Sequence, residues 1–74
     1  MTFNVDVKTQ QEMGKNLREA RERKHLLQEE VAGTAGISAT YYAGIERGEE
    51  NPTLAVIQNL CKALGVKSSE ILPF

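Results

Sequence analysis

Three residues, Gly36-Ile37-Ser38, stand between two short stretches of helical character and leave the chain few ways to turn. Glycine suits the left-handed conformation that ends a helix. Ile37 then supplies an apolar plug, and Ser38 is a natural N-cap for the next helix. On the near side, Gln28 to Ala35 offers Val31, Ala32 and Ala35 for burial; on the far side Tyr42 and Ile45 carry the apolar spacing to Gly48, a second stop. A connection this tight cannot return one helix antiparallel along the other. It sets them at a steep angle, roughly 90–120°. Ala32 and Gly36 permit close approach, and Ile37 and Ile45 wedge the corner.

The flanking segments are helical as well. From Lys8 onward, Met13, Leu17 and Ala20 fall at i, i+4 and i+7, with Arg18, Glu19, Glu22 and Arg23 on other faces. Asp6 or Thr9 can cap this segment, which should fade near Lys24-His25. Residues 1–7 have no such periodicity and are expected as a loose arm, leaving residues 8–74 as one domain. After the polar Glu49-Glu50-Asn51, Pro52 and Thr53 mark another helix start, with Asn51 an equally good cap. Leu54, Ile57, Leu60, Cys61 and Leu64 then form an apolar stripe that ends at Gly65. A single turn, Ser69 to Leu72, is closed by Pro73. The only β-like run, Thr40-Tyr41-Tyr42, lies between a cap and a helical continuation. The expected fold is all-α, a compact arrangement of five helices.

Composition narrows the function. With 74 residues the chain is small enough that association would help to stabilise it. Nine Lys and Arg oppose ten Asp and Glu, for a net charge of −1, so no global excess draws it to nucleic acid or membrane. Any such affinity must be local. The single cysteine, Cys61, excludes an internal disulfide and a cysteine-based zinc site, and it fits a reducing interior. No apolar run would span a bilayer, and Met1 to Val7 lacks an export signal. A small cytoplasmic protein without membrane contact is expected. No Ser/His/Asp, Cys/His, carboxylate-pair or phosphate-loop constellation supports an enzyme, and no cofactor or metal is expected. His25, the only histidine, stands at the end of a helix, where a left-handed backbone explains it better than catalysis.

Two short helices about a tight corner have the helix-turn-helix spacing, in which the second helix enters a DNA major groove. The detailed pattern goes further. Gln28-Glu29-Glu30-Val31-Ala32, Gly36-Ile37-Ser38, Tyr42 and Ile45-Glu46-Arg47-Gly48 resemble the helix-turn-helix of the phage lambda and 434 repressors and their bacterial relatives. Gly14 to Arg21 resembles that family's first helix, and Asn51-Pro52-Thr53-Leu54 through Ala63-Leu64-Gly65-Val66 its fourth. At this length, without a further effector domain, the chain looks most like the controller proteins of restriction–modification systems. The resemblance implies a lambda-repressor-like domain, an operator of double-stranded DNA, activation through RNA polymerase at low occupancy, and repression when a second site fills.

Carried over position by position, the resemblance implies that Gln28, Arg47 and Asn51 meet phosphates; Ser38 and Arg18 are further candidates for the backbone, Arg18 having the alternative of a solvated surface arginine. The exposed face early in the recognition helix, Ala39, Thr40, Tyr41, Ala43 and Gly44, would read bases. Such side chains read little: Ala39 can touch a thymine methyl, Thr40 can donate a hydrogen bond or a methyl contact, and Tyr41 is the one long polar reader. DNA bendability should therefore carry part of the specificity. Tyr42 is spaced for the core. The resemblance also implies a structural salt bridge between Arg21 and Glu46. Leu27 departs from the family, which usually caps that helix with Ser or Thr.

Lys15, Arg18, Arg21, Arg23 and Lys24 crowd the first helical segment, whereas Glu46, Glu49 and Glu50 follow the recognition helix. One copy would make few phosphate contacts. A homodimer doubles them, and Ala55, Val56, Ile71, Leu72 and Phe74 are the apolar residues left to form a self-complementary patch. Ile71 and Leu72 have the alternative of closing the monomer core. An imperfect palindrome is the matching operator. The competing class is a protein-interaction module, such as an antitoxin that neutralises a partner, although both tails are short for one.

Overall fold

The computed structural model describes residues 6–74. Five helices follow one another: α1 (Val7–Arg23), α2 (Gln28–Ala35), α3 (Ala39–Glu46), α4 (Leu54–Leu64) and α5 (Ser68–Ile71). Of the expected arm, residues 1–5 lie outside the described residues, while Asp6 and Val7 belong to the helix start. The Asp6 carboxylate accepts the Thr9 N–H at 2.7 Å and caps α1. That hydrogen bond holds the Asp6 pKa below its ordinary value. At the far end the chain leaves α1 through His25, the one non-glycine residue with positive φ among those described, at 55°.

The corner between α2 and α3 follows from its local chemistry. Gly36 takes φ 78°, and the Ile37 N–H returns to the Ala32 carbonyl at 3.0 Å. The Ser38 hydroxyl then accepts the Tyr41 N–H at 3.0 Å. A third cap resolves an ambiguity of the sequence: Thr53, not Asn51, accepts the Val56 N–H at 3.2 Å. At α2 the cap is inverted. Leu27 has no side-chain acceptor, so the Glu30 carboxylate reaches back for the Leu27 N–H at 2.8 Å.

The core joins all five helices. Leu17, Ala20, Tyr42, Ile45, Leu60 and Ile71 are wholly buried, with Met13, Val31, Ala32, Ala35, Ile57, Cys61 and Leu64 around them. Burial pushes the Cys61 thiol pKa up, with Glu70 adding to it. Helix α2 packs on α4, and α1 packs on α3 and α5. Gly14 makes the second contact possible, because a Cβ there would collide with the Ile45 and Glu46 carbonyl oxygens. The Asn16 side-chain amide donates to the Ile71 carbonyl at 2.9 Å and fastens α5 to α1.

Two apolar expectations are corrected. The helical spacing assigns Leu54 to the α4 core stripe, yet it is 76% exposed. It sits in the first turn of α4, between two surface hollows, where no neighbouring helix covers it. Ile71 was a candidate for contact with a second copy, but it is wholly buried in its own core, where the α5 turn directs it inward. The short last helix also runs one residue earlier than Ser69 to Leu72.

Candidate nucleic-acid interface

Helix α3 is held at both ends and open on one face. Its inner side carries Tyr42, Ile45 and Glu46 into the core region. On the other side Thr40 and Arg47 are exposed and Ala43 is half-buried; the three share a stripe at i, i+3 and i+7. Ala39 and Tyr41 are half-buried and lean on the core. Gly44 is a correction. It is buried, and a Cβ added there would meet the Glu50 side chain at 3.0 Å, so the acidic loop covers the position that was expected to face a base.

Behind that face lies a polar hub. Arg21 Nε donates to Glu46 Oε2 at 2.7 Å and Nη2 to Oε1 at 3.1 Å, while Nη1 reaches the Leu26 carbonyl at 3.0 Å. The predicted salt bridge is present, with the two side chains 15% and 3% exposed. Burial alone would raise the Glu46 pKa. The Arg21 guanidinium, helped by the adjacent Tyr42 hydroxyl and Gln28 amide, outweighs burial and holds it below the ordinary 4.5. Hydrogen bonding to Glu46 in turn raises the Arg21 pKa. The Tyr42 hydroxyl has no partner at hydrogen-bond geometry among the described residues. Its burial, reinforced by the Glu46 charge beside it, drives its pKa far above the usual phenol value.

Gln28 belongs to this hub. Its Nε2 donates to Glu46 Oε1 at 3.0 Å, so the side chain expected at a phosphate is already engaged. Glu29 and Glu30 occupy the first turn of α2, where their charge opposes the attraction of a helix N-terminus for an anion. Arg21, Leu27, Gln28, Glu29 and Ala39 line a shallow hollow of about 470 Å³ between the starts of α2 and α3. The other phosphate candidates divide differently. Ser38 is exposed and keeps its hydroxyl hydrogen after capping α3. Arg18 is exposed on α1, and Asn51 is exposed at the mouth of a hollow it shares with Thr9 and Phe74. Arg47 is exposed but forked onto Glu49, with both hydrogen bonds at 3.1 Å. Sequence reasoning missed the Glu49 contact. Its only signal was an acidic residue two positions beyond an arginine, across a glycine.

A second surface lies on α4 and α5. Leu54 and Phe74 are 76% and 83% exposed, Ala55 is exposed, and Val56 and Leu72 are half-buried. Hollows of about 300 and 720 Å³ flank it and share Leu54, Ile57 and Leu72. Among the described residues no three His, Cys, Asp or Glu side chains gather as a metal site. None of the described helices is long and apolar enough to cross a membrane.

A helix carried beyond a left-handed corner, buttressed by an Arg–Glu hub and open along one face, defines a DNA-binding transcription regulator of the helix-turn-helix type. Residues 17–71 match the family model described as Helix-turn-helix, and the chain belongs to that family. It is 40% identical over 60 residues to the HTH-type transcriptional regulator y4dJ of Sinorhizobium fredii (strain NBRC 101917 / NGR234), covering 81% of this chain and 78% of the relative. It is 36% identical over 62 residues to the control protein C.BamHI of Bacillus amyloliquefaciens, with 82% and 76% covered. Among solved structures it resembles the restriction-modification controller protein C.AhdI from Aeromonas hydrophila. There the TM-score is 0.83 at 36% identity, over 85% of this chain and 96% of that one.

Proposed function

We propose that this chain is the controller of a restriction–modification system, a cytoplasmic homodimer that activates and then represses its own promoter and so times endonuclease expression. The observation that carries the reading is an apolar strip on α4 and the C-terminal end, in which Leu54, Ala55 and Phe74 are exposed and Val56 and Leu72 half-buried. Two copies joined there would present two recognition helices to one duplex. The similarity to control proteins, which spans most of their length, supports the same choice.

In this reading Thr40, Tyr41, Ala39 and Ala43 meet base edges, and Ser38, Arg47, Asn51 and Arg18 meet the backbone. Gln28 reaches a phosphate only with the part of its amide that Glu46 leaves free. The net charge of −1 makes a single copy a weak binder, and pairing compensates by doubling the contacts. Contact with RNA polymerase belongs to the activating phase.

A gel shift with the DNA immediately upstream of the gene tests the reading. A shift competed poorly by random duplex is expected, alongside neighbouring genes for a methyltransferase and an endonuclease. Tight capture of a neighbouring gene's protein, with no shift of upstream DNA, would favour an antitoxin instead.

A further inference from the structure

We propose that Glu49 sets the specificity of this regulator by holding Arg47 back from DNA, a step that rests on the DNA-binding reading above. Arg47 ends the exposed stripe of α3 and carries its guanidinium at the C-terminal end of the reading face. It does not stand free. Nε donates to Glu49 Oε2 and Nη2 to Glu49 Oε1, each at 3.1 Å, which is the forked geometry by which an arginine also grips a phosphate. One guanidinium edge cannot serve both partners in that way.

The clamp is built into the backbone. Gly48 turns the chain with φ 76°, and the Glu49 N–H donates to the Gly44 carbonyl at 2.9 Å. That hydrogen bond pins the Glu49 backbone against α3, two residues past Arg47. Glu50, next along, lies over Gly44, so the loop lays two carboxylates along the end of the recognition helix. The Arg47 pKa is raised and that of Glu49 lowered by their mutual hydrogen bonds, as expected for a pair that neutralises its own charge.

DNA must therefore displace Glu49 before Arg47 can fork onto a phosphate through that edge, since only Nη1 lies outside the pair. An exposed ion pair is weak, so the displacement is easy where base contacts align the helix. On random sequence no such contacts offset the loss. Glu49 thus lowers non-specific affinity more than operator affinity.

The test is a double-mutant cycle on the full chain, with Glu49→Gln, Arg47→Ala and the combined variant, titrated against upstream DNA and a random duplex over a range of salt. Glu49→Gln should tighten random-duplex binding roughly two- to fivefold. It should steepen the salt dependence by up to about one unit per chain, and shrink the ratio of specific to non-specific affinity. In the Arg47→Ala background the same change should have much less effect. Equal tightening with or without Arg47 would overturn the proposal, since the effect would then be bulk charge. So would Glu49→Gln binding random DNA as the native chain does. Circular dichroism confirms that each variant is folded. If the native chain binds no DNA at all, the functional reading fails instead, which keeps the two failures apart.

Discussion

Arg21 on α1 and Glu46 at the end of α3, 25 residues apart in sequence, meet through two hydrogen bonds of 2.7 and 3.1 Å. The same guanidinium holds the Leu26 carbonyl, and the same carboxylate holds Gln28. One ion pair therefore fixes the end of the recognition helix to α1 and to the start of α2. Removing either partner leaves the other partly desolvated without compensation. Arg21→Ala should cost roughly 2–3 kcal/mol in urea denaturation, less than a wholly buried pair because Arg21 keeps some contact with water.

The pH dependence has a definite sign. Glu46 has a folded pKa below its ordinary 4.5, so its stabilising contribution is fully present above that value. It is lost as the pH falls below 4.5 through the folded pKa. The Tm of the native chain should therefore drop across that acid range more than the Tm of Glu46→Gln. Parallel pH profiles for the two proteins would refute the assignment.

Gly14 is a packing requirement. Gly14→Ala places a methyl group on the Ile45 and Glu46 carbonyl oxygens, backbone atoms that cannot rotate away. A loss of about 1–3 kcal/mol is expected from overpacking. Because the clash falls at the end of α3, affinity for upstream DNA should fall as well. A variant as stable as the native chain would show that α1 and α3 separate at little cost.

Base reading and backbone contact are separable by competition. Thr40→Ala and Tyr41→Phe should weaken operator binding by roughly 1–3 kcal/mol where a good base contact is lost, with random-duplex affinity nearly unchanged. Arg47→Ala should weaken operator binding more than random-duplex binding, because Glu49 already holds Arg47 back on random DNA, and should lower the salt slope on the operator by about one unit or less. Equal losses on both DNAs for the first pair, or a switch of operator preference for the arginine variant, would reverse the roles.

Dimerisation is tested on the apolar strip. Val56→Asp or Leu72→Asp would desolvate a charge in the proposed interface. Sedimentation should then give monomers that circular dichroism shows to be helical, with poor operator affinity. Half-sites about 10 base pairs apart, matching recognition helices about 34 Å apart, complete the expectation. A folded monomer with native operator affinity would remove the dimer from the mechanism.

The sequence determined whatever depends on a few neighbouring residues. Ser38 caps the helix that follows it, His25 takes positive φ, and Gly36 turns the corner. Each is a contest between one backbone group and a side chain within about three positions, and the chain order settles it. The helical spacing of Met13, Leu17 and Ala20, and of Ile57, Leu60, Cys61 and Leu64, likewise marked a buried face. Periodicity gives the direction of a face but not how far its cover extends, and that is why the same stripe misplaced Leu54. Only the packed fold put Ile71 inside and left Leu54 and Phe74 outside. The tertiary structure also chose the partners of the long polar side chains. Gln28 went to Glu46, and Arg47 to Glu49 across the turn at Gly48. A flexible side chain with several donors bonds to whichever acceptor the fold brings within about 3 Å, and that position exists only after the helices have docked.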